Sequence, residues 1–196
     1  MSKFIIPATT LQRLVKIIEP TTPQEFRTFK IDNNVLIACN KYVACAERIE
    51  GDNDVCYINI TPQFIKDVDF EANIGGTFTF ETLPELAIGT ITATSGQNCD
   101  NVIVWPDESP LDNWREWFAV SEESSGFMYC DLSQIKTLWE TSPTGEIVFP
   151  EVINANEPVI VRDVNSVDWV GVFIPAISGK KVLKPATLPE WLNDNA

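Results

Sequence analysis

Val55-Cys56-Tyr57-Ile58-Asn59-Ile60-Thr61-Pro62-Gln63-Phe64-Ile65-Lys66-Asp67 is the stretch whose reading decides the fold. Its opening run, Val55–Ile60, is apolar and β-branched and predicts a strand. Thr61 can cap a helix, because its side-chain oxygen can accept from an orphan backbone N–H. Pro62 suits the first helical position, where no N–H is needed. A short helix over 61–69 is therefore expected directly after the strand. Outward from this stretch the same pattern recurs. Phe4–Ile6 precedes Thr10-Leu11-Gln12-Arg13-Leu14-Val15-Lys16, and Phe127–Cys130 precedes Asp131-Leu132-Ser133-Gln134-Ile135-Lys136-Thr137. In each unit a cap residue (Thr10, Thr61, Asp131) is followed four positions later by a branched apolar residue (Leu14, Ile65, Ile135), then by a lysine (Lys16, Lys66, Lys136). Strands follow each helix, so the chain reads as an α+β protein of β-α-β-β-β repeats, antiparallel sheets outside and short helices on one face. The alternative is three unrelated amphipathic helices.

The pattern extends through the chain. Ala8–Glu19 is expected as a helix with Leu11, Leu14, Val15 and Ile18 on one face, ended by Pro20 and Pro23. Strands are expected at Phe26–Ile31, Val35–Cys39 and Tyr42–Ile49, the first two joined by an Asp32-Asn33-Asn34 hairpin turn. Thr77–Thr82 alternates with Phe78 and Phe80 on one face, and Ala87–Thr94 and Asn101–Trp105 read as further strands. Pro106–Ser125, with its Trp114-Arg115-Glu116-Trp117 cluster, reads as a connector whose tryptophans pack on a domain. A third helix, Leu132–Thr141, is expected to bury Leu132, Ile135, Leu138 and Trp139. Strands Glu146–Ile153, Pro158–Asp163 and Asp168–Pro175 complete that unit. The organisation is then 1–118 (two units), 119–176 (a half domain) and a tail, 177–196.

Composition narrows the function. The 196 residues include no histidine, which removes the commonest general base and metal ligand. No phosphate-binding loop, dinucleotide fingerprint or zinc-protease motif occurs. Asp67, Asp69 and Glu71 are the one tight acidic group, and at a helix end they read as a solvated face. No catalytic residue, metal site or cofactor is expected, and a non-enzyme is the favoured reading. Five cysteines (Cys39, Cys45, Cys56, Cys99, Cys130) form no CxxC pair and read as free, mostly buried thiols. No apolar run nears the ~20 residues that span a bilayer, and Met1–Pro7 is not a signal peptide. A cytoplasmic protein without membrane contact is expected.

Net charge is −14 and uneven. Residues 1–48 hold seven Lys/Arg against four acids, while 49–196 carry a net −17. A basic region within an acidic whole can admit nucleic acid at one face only.

These placed elements resemble the DNA polymerase sliding clamps, the processivity-factor family. Glu157-Pro158-Val159-Ile160-Val161-Arg162 followed by Val172-Phe173-Ile174-Pro175 is similar to the "PVxxR" and "VxMP" strands that end bacterial clamps. Phe29–Ala38 resembles the strand pair after a first clamp helix. The resemblance implies a ring around duplex DNA that tethers a DNA polymerase or is handled by a clamp loader. Its lining would be helix cations, here Arg13, Lys16, Lys66 and Lys136, making weak exchangeable phosphate contacts. A Lys16→Glu/Arg13→Glu change would then abolish DNA association and leave folding intact. Partner peptides would dock in an apolar pocket at Val172, Ile174 and Pro175. A clamp ring holds twelve units, so three per chain implies a homo-oligomer, four chains if the ring closes. Small size points to a phage-type version. The alternative function is an acidic interaction protein, a DNA mimic that blocks a basic DNA-processing partner.

Overall fold

The computed structural model describes residues 1–18, 22–40, 42–99, 102–118, 132–149 and 158–174. The first unit runs β1 (Ser2–Pro7), α1 (Ala8–Val15), β2 (Thr28–Asp32), β3 (Val35–Cys39) and β4 (Val43–Arg48). A two-residue strand, β5 (Glu50–Gly51), leads to the second unit: β6 (Val55–Asn59), α2 (Pro62–Asn73), β7 (Thr77–Leu83), β8 (Ile88–Ala93) and β9 (Ile103–Val104). The third unit contributes α3 (Leu132–Thr141), β10 (Ile147–Val148), β11 (Val159–Asp163) and β12 (Trp169–Phe173). The expected strand Phe127–Cys130, the cap Asp131 and the 177–196 tail lie outside the described residues.

Two antiparallel sheets form, one ordered β5-β1-β7-β8 and the other β10-β11-β12-β4-β3-β2-β6-β9. The first two units exchange their opening strands. β1 pairs with β7 over six residues, and β6 pairs with β2 over five. The third unit's strands join the first unit's sheet, β12 lying beside β4 with Val172 opposite Ala44. Asn33 and Asn34 make the hairpin turn at φ 50° and 59°, left-handed values that asparagine tolerates better than most residues.

The sheets bury one face against the three helices, with α1 packed between α2 and α3. Phe4, Ile6, Phe29, Ile31, Phe78 and Phe80 meet Leu11, Leu14, Phe64 and Val68 there. Truncating one such side chain to alanine costs about 2–5 kcal/mol. The opposite face of the eight-stranded sheet also carries apolar residues: Ile37, Cys39, Ala44, Ala46, Tyr57 and Val172, packed with Leu111 and Trp114. β3 and β4 are thus covered on both faces, which explains their uninterrupted apolar sequences Val35-Leu36-Ile37-Ala38-Cys39 and Val43-Ala44-Cys45-Ala46. The connector's Trp114 packs on this face as expected.

Local readings need five corrections. Thr10 does not cap α1; Pro7 precedes its first residue, and the Ala8 N–H donates to the Gly76 carbonyl at 3.0 Å. α1 stops at Val15 rather than running to 19, and the N–H groups of Lys16, Ile17 and Ile18 donate to carbonyls three residues back in a tighter turn. α2 runs to Asn73 rather than 69 because two of its three acids face the protein and only Asp69 is exposed. Asp67 and Glu71 are buried, and Asp67 accepts from Gln63 Nε2 at 2.8 Å and Gln97 Nε2 at 3.0 Å. The Phe26–Ile31 strand starts at Thr28, after a short 3₁₀ turn at Gln24–Phe26. α3 has the expected bounds and a rotated face: Leu132 and Trp139 are 78% and 51% exposed, while Thr137, Leu138 and Thr141 are buried. Thr141 is buried with its hydroxyl donating to the Leu138 carbonyl at 3.0 Å, and its own carbonyl accepts from the Arg13 guanidinium. Thr61 caps α2 as read, accepting from Phe64 N at 3.1 Å with Pro62 at the first helical position.

Candidate functional site

The solvent side of the helix layer is assembled from positions left over after burial. α1 presents Thr9 and Gln12, with Lys16 directly after its end; α2 presents Gln63, Lys66, Asp69 and Phe70; α3 presents Ser133, Lys136 and Trp139. Lys16 and Lys66 are exposed and form no ion pair with a described residue. Lys136 stands 3.8 Å from Glu140, one helical turn on, in an exposed pair of small value. Asp69 accepts from Gln12 Nε2 at 3.0 Å, tying α1 to α2 across the surface. Two helix lysines and Lys16 at the end of α1, opposed by Asp69 and Glu140, give this face a weakly positive balance.

Arg13 sits differently from the other three predicted lining cations. Its guanidinium turns into the protein, reaching Glu47 Oε1 and Oε2 at 2.8 and 3.0 Å and the Thr141 carbonyl. The Arg13 and Glu47 side chains are only 19% and 11% exposed. One residue of α1 thereby fastens β4 and α3 together. The geometry gives Arg13 a structural task, so an Arg13→Glu change is not expected to leave folding intact.

The opposite sheet face holds a cavity of about 280 Å³ at the junction of β4 and β12. Cys39, Val43, Ala44 and Val172 form its floor, and Phe26, Tyr42, Pro110, Trp117, Pro158 and Ile174 its walls. Val172 and Ile174, the predicted pocket residues, are brought together here because alternate residues of a strand share a face. Val172 is buried and Ile174 is 49% exposed at the rim. Pro175 lies outside the described residues. The wall residues Phe26, Tyr42, Trp117 and Pro110 were missed, and the tryptophan cluster and the exposed aromatic at a strand start were the available signals.

Connector residues 106–118 are held beside this cavity by polar contacts to the buried side chains of Asp32 and Lys30. Asp32 accepts from Trp114 Nε1 at 2.8 Å and Arg115 at 2.7 Å. Burial alone would raise its pKa, but these hydrogen bonds and the charges of Arg115 and Lys30 hold it below the usual aspartate value. Lys30 reaches Asp112 at 3.1 Å, and the Tyr57 hydroxyl donates to the same carboxylate. Burial and that bond to Asp112 push the Tyr57 hydroxyl up. Among the described residues no three His, Cys, Asp or Glu side chains stand together to hold a metal ion. No helix among them is long and apolar enough to cross a membrane.

No protein-family model and no curated protein matches this sequence. Solved structures do resemble the fold. The DNA polymerase III beta subunit of Thermotoga maritima matches with a TM-score of 0.58 and 10% identity, over 90% of this chain and 65% of that one. A putative DNA polymerase III beta subunit from Eubacterium rectale gives 0.56 and 11%, over 100% and 68%. The DNA polymerase sliding clamp of Pseudomonas aeruginosa gives 0.53 and 12%, over 89% and 65%. The chain therefore spans about two thirds of the length of these structures. Exchanged β-α-β-β-β units, helices on one face and continuous antiparallel sheets on the other are the fold of a DNA sliding clamp, and this chain has that fold.

Proposed function

We propose that this chain is a sliding-clamp subunit that surrounds duplex DNA and tethers a DNA polymerase or clamp loader through the apolar cavity. The observation that carries the reading is the two-faced architecture. Three helices stand side by side with Lys16, Lys66 and Lys136 toward solvent, and an open apolar cavity containing Val172 and Ile174 lies on the other face. A ring needs no base readout, only weak and exchangeable phosphate contacts. Acidic residues elsewhere discourage adsorption of DNA to the outer surface. Residues 1–118 make one two-unit domain, 119–176 begin the next, and copies of the chain complete the ring. No catalytic residue enters this function.

The test is topological. Purified protein is loaded, with a loader where needed, onto nicked circular DNA, and the complex is isolated by gel filtration at moderate salt. Cutting the circle with a restriction enzyme should release the protein, with light scattering giving a mass of several chains. Equal retention on circular and linear DNA, or a concentration-independent monomer that ignores DNA, refutes the reading.

A further inference from the structure

We infer that the peptide docking in the cavity is acidic as well as apolar, with a carboxylate two residues from its apolar anchor and received by Arg162. This rests on the docking role proposed above. The register across the sheet supplies the geometry. Ile160, Val172, Ala44 and Cys39 lie in one outward-facing row across β11, β12, β4 and β3, and Val172, Ala44 and Cys39 of this row floor the cavity. Arg162, Val170, Ala46 and Ile37 form the next row on the same face. Rows two residues apart are separated by about 7 Å. A second hollow of about 200 Å³ lies over this neighbouring row, lined by Ala46, Val170, Val167, Trp114, Arg48 and Arg162. The two hollows thus lie on consecutive rows of one sheet face.

The second hollow differs from the first in charge. Arg162 is exposed and forms no ion pair with a described residue. Arg48 stands 3.5 Å from Asp168, both side chains being more than half exposed, so the pair is weak. Two guanidiniums, Arg162 and Arg48, against one carboxylate, Asp168, make a local positive excess in a chain whose net charge is −14. An extended peptide places alternate side chains on one side at the same 7 Å spacing. With a leucine over the Val172 row, a residue two positions away falls beside Arg162. Covering that guanidinium with an apolar or amide residue would strip its water without replacement, whereas a carboxylate restores its hydrogen bonds in a charge-assisted pair. An acid at that position speeds encounter and fixes register.

The probes are fluorescent ten-residue peptides that each carry one leucine and one aspartate two positions apart, in both orders, with asparagine versions as partners. Binding to the full chain is read by anisotropy at about 50 mM and 500 mM salt. The expected result is an aspartate peptide binding about tenfold tighter than its asparagine partner, a gap that shrinks at high salt. Arg162→Gln should bring the two to equal affinity while the asparagine peptide binds as before. Melting curves verify that this exposed substitution leaves the fold unchanged. Equal affinity of both peptides for the unaltered chain overturns the acidic preference and leaves the docking role standing. No binding by any peptide overturns both. A rise in mass with concentration that competes with peptide makes a second copy the occupant and overturns the inference.

Discussion

Replacing Arg13 by alanine is expected to destabilise the protein by about 3 kcal/mol. The guanidinium makes two bonds to the Glu47 carboxylate, one to the Thr141 carbonyl, and a longer one of 3.3 Å to the Thr10 hydroxyl. Deleting it leaves Glu47 with the Thr10 hydroxyl at 3.3 Å as its remaining partner among the described residues. Removing one member of a buried pair costs about 3–5 kcal/mol, since the survivor is left charged and poorly solvated. Residual exposure of the pair places the value at the lower end. For a domain with about 5–15 kcal/mol in total, this is a large fraction. Urea unfolding followed by tryptophan fluorescence and far-UV circular dichroism measures it. The cycle Arg13→Ala, Glu47→Ala and the double variant isolates the pair, and the double should cost well under the sum of the singles. A loss below about 1 kcal/mol for Arg13→Ala, or strict additivity, would refute the assignment of a structural lock. The same residue separates stability from DNA contact. Lys16→Glu should leave the urea midpoint unmoved, whereas Arg13→Glu should lower it whether or not DNA is present.

Alanine at Lys16, Lys66 and Lys136 together should reduce the salt slope of DNA association by about 0.9 per lost phosphate contact, with stability changed by about 0.5 kcal/mol or less per site; an unchanged slope removes these lysines from the interface. Asp163 accepts from the Ser142 hydroxyl and the Thr144 and Asn165 N–H groups, and although burial alone would raise its pKa these bonds hold it at about 2. Its folded value lies below its unfolded value near 3.8, so the stability it adds, about 2 kcal/mol, is present above that pH and fades as pH falls toward 2. Asp163→Asn should flatten that part of the acid-unfolding curve, and an unaltered curve would show that the carboxylate is not the group responsible. Ile174→Asp should abolish docking of leucine-anchored peptides by putting a charge on the cavity rim, with little change in the melting temperature. Cys45, Cys56 and Cys99 are buried away from the cavity, and burial raises the Cys56 thiol to about 12, so a thiol reagent should modify these three only at the rate of unfolding.

Much of the fold was legible because helix starts and strand alternation are local properties. Thr61-Pro62 placed α2, and Phe78 and Phe80 placed the buried face of β7. What stayed hidden was set by partners far along the chain. Thr10 looks like a cap until the Ala8 N–H is found donating to the Gly76 carbonyl, and Asp67 looks solvated until Gln97 reaches it. Leu132 and Trp139 look buried by type, yet the rotation of α3 is fixed by Leu138 and by Thr141 facing Arg13, which is 128 residues away. The cavity was half legible. Val172 and Ile174 follow from strand alternation, whereas Tyr42, Trp117 and Phe26 reach the same hollow only through tertiary packing.

The sparse charge of the helix face fits the proposed role better than a strongly basic one would. Each phosphate contact steepens the salt dependence of binding and slows movement along the duplex, so a surface built for affinity would hold one position. Lys66 and Lys136 lie on α2 and α3 and Lys16 just past the end of α1, and Asp69 and Glu140 lie among them. Such a face makes contacts that are singly weak and readily exchanged. Retention must then come from closure of the assembly around the strand, which is why circular against linear DNA is the decisive comparison. The polar locks fall where this division of labour requires them. Arg13 with Glu47, and Asp32 with Trp114 and Arg115, use their charges inside the subunit, holding α3 to the first unit and the connector to the cavity wall. Cations held on the buried carboxylates Glu47 and Asp32 fix the shape, and in the proposed role the exposed lysines are left to meet DNA.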